Sequence, residues 1–191
     1  ADGGSVRRGR CVARRRGLGV PTLSDVREGL IATGPVHDAA DPVAVTVRHV
    51  ETGHKLGIAT DLGRPTVSVR HELSGCDLLI LEANHDEAML WDGPYPWSVK
   101  QRIASSHGHL SNHAAAELAC DLHHPGLGAV VLAHLSEHCN SGELAREVVG
   151  EALEATGFDG PLIVAGQDEP IEPLHIDALR RRTGPEQLTL L

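Results

Sequence analysis

The 191-residue chain is poor in aromatic side chains: Trp91, Tyr95, Trp97 and Phe158 are the whole set, accompanied by a single methionine. A core built from it draws mainly on Leu, Val, Ile and Ala. Hydrophobic residues of all kinds make up 41% of the chain, enough for one domain with a sizeable core and too little length for two. Its four cysteines, Cys11, Cys76, Cys120 and Cys139, stand far apart without a C-x-x-C pair. With no secretory apolar segment either, they read as reduced thiols in a cytoplasmic protein. No apolar run approaches the roughly eighteen residues of a membrane span, so the expectation is a soluble chain.

Charge is abundant but uneven. The formal net charge is -9, yet residues 1–35 carry seven Arg against three acids, while 36–191 carry ten Lys or Arg against twenty-three acids. An acidic body argues against broad electrostatic adsorption to a nucleic-acid duplex, and any such contact should be local. Histidine is plentiful at thirteen residues, several of them beside acids or at the ends of apolar runs. That excess points towards metal chemistry.

The alternating, β-branched VAVTVRHV at 43–50, a turn at Glu51-Thr52-Gly53 and HKLGIATD at 54–61 predict a β-hairpin. The apolar runs at 77–82 (DLLILE) and 128–134 (GAVVLAH) have strand length and the composition of strands buried on both faces. Helical patterns occupy 66–73, 97–105, 111–123 and 141–156, the last with Ser141 as N-cap and Gly157 as stop. PLIVAGQ at 161–167 supplies a last short strand, and 174–191 reads as a frayed or flexible tail. A hairpin followed by alternating helices and buried strands indicates a layered α/β fold with a mixed sheet.

In α/β folds, side chains at strand ends leave the packed sheet and project into a crevice at its rim. Asp61 and His134 stand at such ends, and His37 just precedes the hairpin. Carboxylate oxygen and imidazole nitrogen are ligand types for Zn²⁺ or Mn²⁺ in a hydrolytic centre. Spacing alone leaves blander roles open: a loop cap for Asp61, a turn for His37, a satisfied buried histidine for His134.

Taken together, LEANHDEAMLWDGPYPWSVKQRI, GHLSNHAAAEL and VVLAHLSEHCNS, preceded by VHDAADPV and GIATDLG and followed by PLIVAGQDEP, resemble the WalJ/YycJ group of metallo-β-lactamase-fold proteins over about residues 36–173. The resemblance implies a metallo-β-lactamase-like αββα sandwich at 36–173, with 1–35 as an Arg-rich remnant of an N-terminal half. It also implies metal ligation by His37, Asp61 (as the bridging aspartate) and His134. Glu82 and His85 match the family's EANHD element, as catalytic groups or as a polar network that holds the loops. His109 matches its GHLSN element. By similarity to a histidine of the related tRNase Z enzymes, His109 becomes the candidate for phosphate contact or proton donation to a leaving oxygen. The remaining loop histidines, His107, His113, His123, His124 and His138, read as surface or helix-end residues.

One departure is plain: the superfamily's H-x-H-x-D-H signature is not in these 191 residues, and 1–35 hold no histidine. Since the chain begins with Ala, the expectation is that it starts just after that motif. Two shared pairs of ligands should then bind divalent metal weakly or not at all. The implied function is a two-metal hydrolase whose activated hydroxide attacks a phosphodiester, as a DNA exonuclease. A non-catalytic remnant or regulatory module of the same fold, and a hydrolase of an ester, thioester or lactam, stay open beside it. Whether this chain is itself an enzyme is left undecided by the missing ligands.

Overall fold

A computed structural model describes residues 30–33 and 43–183. Strands β1 (Leu30–Thr33), β2 (Val43–His49), β3 (Lys55–Thr60), β4 (Leu78–Glu82), β5 (Ala129–Ala133) and β6 (Leu162–Val164) lie side by side in chain order in one six-stranded sheet. β1, β2 and β3 pair antiparallel, and β3 to β6 pair parallel. The hairpin read at 43–61 is therefore β2–β3, closed at Gly53, whose positive φ of 74° suits a residue without Cβ. Each parallel step crosses over through helix: α1 (Val67–Leu73); then α2 (Glu87–Asp92), α3 (Trp97–Ile103) and α4 (Asn112–Leu122); then α5 (Gly142–Ala155). A last helix, α6 (Ile176–Thr183), follows the sheet.

The mixed α/β sheet flanked by helices agrees with the fold class expected from the sequence. Thr66, Asp86, Ser111 and Ser141 cap α1, α2, α4 and α5, each side-chain oxygen accepting from the amide three residues on. Leu79 and Leu81 of β4 and Val130 and Leu132 of β5 pack with Val69, Leu73, Leu118, Val149 and Leu153 of the helices in the main core. Full burial contributes about 1.5–3 kcal/mol for each such side chain, so this face dominates the fold's stability. Gly57 and Ala59 of β3 keep the surface beneath α1 low: a Cβ on Gly57 would come within 2.8 Å of Leu73 and 2.9 Å of the Cys76 sulfur.

On the other face, Leu78, Ala129 and Val131 meet Leu179 of α6. Within the stretch read as a tail, α6 is thus held by an apolar contact and by His54, whose Nε2 lies 2.7 Å from Asp177 Oδ1. Residues 184–191 lie outside the described residues, as do 1–29 and 34–42. Two short elements escaped the sequence patterns. β1 is four residues inside an Arg-rich stretch, and α2 is six residues, too few for a helical period to show. Among the described residues, no helix is long and apolar enough to cross a membrane.

Candidate metal site

The register of the parallel strands decides what meets at the rim. Ala59 pairs with Leu81 and Glu82 with Ala133. Asp61 and His134, each just past its strand, therefore emerge on either side of the end of β4, where Glu82 is the last strand residue. His109 arrives from the loop between α3 and α4. Asp61, Glu82, His109 and His134 each offer a ligand atom, and these atoms lie within 4.8 Å of one another.

Glu82 is fully buried, and each of its oxygens is used twice. Oε1 accepts from Nδ1 of His109 at 2.6 Å and from Nδ1 of His134 at 2.7 Å. Oε2 accepts from the backbone amides of Leu62 at 2.8 Å and Leu110 at 3.3 Å. A carboxylate has only acceptors, so both rings carry their proton on Nδ1 and keep Nε2 as the free lone-pair nitrogen. One buried side chain thereby sets the tautomer of two imidazoles and ties down the loops after β3 and before α4.

Asp61 completes the group: its Oδ1 lies 3.6 Å from His109 Nδ1 and 4.0 Å from His134 Nδ1, with the carboxylate two-thirds exposed. Asp61 and His134 also have φ of 57° and 58°, and no other non-glycine residue among the described ones has a positive φ. That region costs a side-chain-bearing residue about 1–2 kcal/mol. Asn84 supports the strained turn at His134, its side-chain amide donating to His134 O at 2.9 Å.

The hydrogen bond to Glu82 raises the His109 imidazole above its ordinary value, against the opposing effect of burial. His85 moves the other way: burial pushes it below its ordinary value, so it is neutral at neutral pH. Its Nδ1 is buried without a hydrogen-bond partner. His85 sits next to the cluster through a bridge to Ser111 in the His109 loop, but it is not one of the four grouped residues. His37 lies outside the described residues.

Two buried amides complete the frame. Asn112 and Asn140 exchange side-chain hydrogen bonds of 2.9 and 2.8 Å, and Asn140 also donates to Ala83 O at 2.8 Å. This pair locks the start of α4 and the loop after His134 to the end of β4. The sequence offered only asparagine inside GHLSN and HCNS as a hint of it, and the pairing partner of a lone buried amide is not written in spacing.

With Glu82 committed to its four donors, Asp61, His109 and His134 are left facing the rim: one carboxylate and two imidazoles. Carboxylate and imidazole are donor types that a divalent cation accepts.

No family model matches the chain. Over 139 residues, 73% of its length, it is 37% identical to an exodeoxyribonuclease named YycJ from Bacillus anthracis. Any unbroken stretch of that length in 191 residues includes Asp61, Glu82, His85, His109 and His134. Over this stretch the chain is similar to the WalJ/YycJ group of metallo-β-lactamase-fold proteins. A second WalJ/YycJ relative, an exodeoxyribonuclease named WalJ from Streptococcus pneumoniae, is 35% identical over 113 residues, 59% of this chain and 41% of that protein. The chain spans about half the length of the curated relatives it matches, 51% for YycJ. Among solved structures, a diphosphatase of the PhnP family superposes with a TM-score of 0.43 at 14% identity, covering 76% of this chain and 43% of that one. The short form of human tRNase Z gives 0.40 at 19% identity, covering 73% of this chain and 47% of that one.

Proposed function

We propose that this chain carries part of the catalytic site of a metal-dependent phosphodiesterase acting on DNA, most simply as an exonuclease. The carrying observation is the double clamp of Glu82 on His109 and His134 beside the Asp61 carboxylate. An exodeoxyribonuclease is what both named relatives are called.

In this reading Asp61 and His134 hold the cation, zinc or manganese, together with His37. A bound divalent ion supplies Lewis acidity at a phosphoryl oxygen and lowers the pKa of water. His109 has a different part. Its proton at Nδ1 is held by Glu82, and the raised basicity that this bond confers favours the imidazolium, which can donate from Nε2 to a leaving oxygen. Glu82 acts through both rings by fixing tautomer and direction, the support that oxygen partners of metal-ligating histidines provide. His85, neutral and beside the His109 loop, serves as a contact within the site rather than as an acid.

The test pairs metal uptake with hydrolysis. Zinc or manganese binding to the purified chain, followed by titration, is expected to be lost in Asp61→Ala and His134→Ala. Release of nucleotides from end-labelled single-stranded DNA is expected to need the same two residues, and to fall with metal still bound in His109→Ala. Cleavage that survives His134→Ala, or metal uptake indifferent to both substitutions, would sink the proposal.

A further inference from the structure

Both tryptophans of the chain lie outside the core. Trp91 is 42% exposed and Trp97 65% exposed, and their rings stand against each other with centroids 5.2 Å apart at a 37° tilt. An indole buries more apolar area than any other side chain, so two indoles at the surface give up stabilisation that a core position would provide. They flank the α2–α3 turn, in which Tyr95 meets the His138 ring at 6.0 Å.

The elements that carry these rings lead to the candidate site along two paths. Along α3, which is about 10 Å long, Trp97 stands at the start and exposed Arg102 in the last turn. The helix ends at Ile103, whose carbonyl accepts from the backbone amide of His109 at 2.9 Å. On the second path, His138 belongs to the loop that starts at His134. Both ends of α2 meet that loop: at its start Asp86 N donates to Cys139 O at 2.9 Å, and at its end a Cβ on Gly93 would lie 3.0 Å from the Cys139 sulfur. The buried Lys100 ammonium donates to Trp91 O, which fixes the turn.

We propose that Trp91, Trp97 and Tyr95 form a stacking platform for unpaired bases of a single-stranded polynucleotide whose phosphate lies at the Asp61, His109 and His134 cluster. The inference rests on the phosphodiesterase reading above and names the form of the substrate. Aromatic faces bind any base by stacking and need no broad positive field, which suits a chain with a net charge of -9. The local cation needed for the backbone is present at Arg102, between platform and cluster. A duplex keeps its base faces covered and would gain nothing from the platform.

Because Trp91 and Trp97 are the whole tryptophan content, intrinsic fluorescence reports on the platform alone. The full chain, with chelator present to prevent cleavage, is titrated with short single-stranded oligodeoxythymidylate, with an abasic strand of the same length, and with duplex. Expected are saturable quenching by the first and none by the other two. With a labelled strand, Trp97→Ala should weaken binding roughly tenfold or more, and Trp97→Phe should restore most of it. Equal binding of the abasic strand, or unchanged binding by Trp97→Ala, would overturn the platform. So would a concentration-dependent fluorescence shift without oligonucleotide that vanishes in Trp97→Ala, which would assign the surface to a second copy of the chain. Failure of the two proposals is separable. Quenching without nucleotide release under metal leaves the platform standing and removes the hydrolase reading; release that is indifferent to Trp97→Ala does the reverse.

Discussion

Glu82 offers two oxygens, and four donors share them. Replacing it by Gln keeps the shape but turns one oxygen into an amide that must donate, so at least two of those donors lose their acceptor. Glu82→Gln is expected to weaken metal binding about 10–100-fold, measured by titration calorimetry; unchanged affinity would remove Glu82 from the support of the ligands. The two shifted histidines give a pH signature in the metal-free chain. His109 is raised by Glu82, so its contribution to stability is complete below its ordinary value and is lost as pH rises through the raised folded one. His85 is lowered by burial, so its contribution is complete above the ordinary value and is lost as pH falls through the depressed one. In an NMR titration His109 should therefore change charge above, and His85 below, the ordinary imidazole value of 6.5. Glu82→Gln should bring the His109 midpoint down, and a His109 midpoint that ignores the substitution would contradict the pairing.

At the scale of elements, the loop between α3 and α4 places His109, and two glycines let it close. A Cβ on Gly108 would fall 2.0 Å from Ile103 O and 2.3 Å from Arg102 O. One on Gly63, two residues after Asp61, would fall 2.4 Å from Ser106 O and 2.5 Å from Gly108 N. These are backbone atoms, which cannot swing aside as the end of a side chain does. Gly108→Ala is therefore expected to cost about 1–3 kcal/mol in a denaturant titration and to disturb the bond from His109 N to Ile103 O. The His109 NMR midpoint should fall with it. A variant of full stability with an unmoved His109 would show that the loop has room that these contacts deny.

For the whole molecule, charge is the property that limits how a polynucleotide can be held. Among the described residues, Arg102 and His109 are basic side chains on the elements that would meet a phosphate in the proposed reading, against an acidic background. Single-strand affinity should then depend weakly on salt, with a log–log slope shallower than about -2. A slope steeper than about -4 would require a broad basic face and would contradict the acidic body.

The apolar runs at 77–82 and 128–134 and the alternating hairpin made the central strands legible from composition and period. Asp61 and His134 were legible as their polar ends, because a strand that stops at an ionisable residue delivers it to the rim of the sheet. Local signals also marked the start of α5, as the serine cap at Ser141 shows. What α2 does was hidden, since six residues carry no measurable period. For Glu82 the sequence offered a catalytic role or a polar network that holds the loops, but not the partners of that network. Glu82 accepts from Leu62, Leu110, His109 and His134, partners brought together by the parallel register of β3, β4 and β5 and by the loop from α3. Sequence alone determined which chemistry stands at the strand ends. Only the tertiary structure decided that one buried carboxylate joins two imidazoles there, because a hydrogen bond between residues far apart in the chain depends on register and loop closure, which no local pattern encodes.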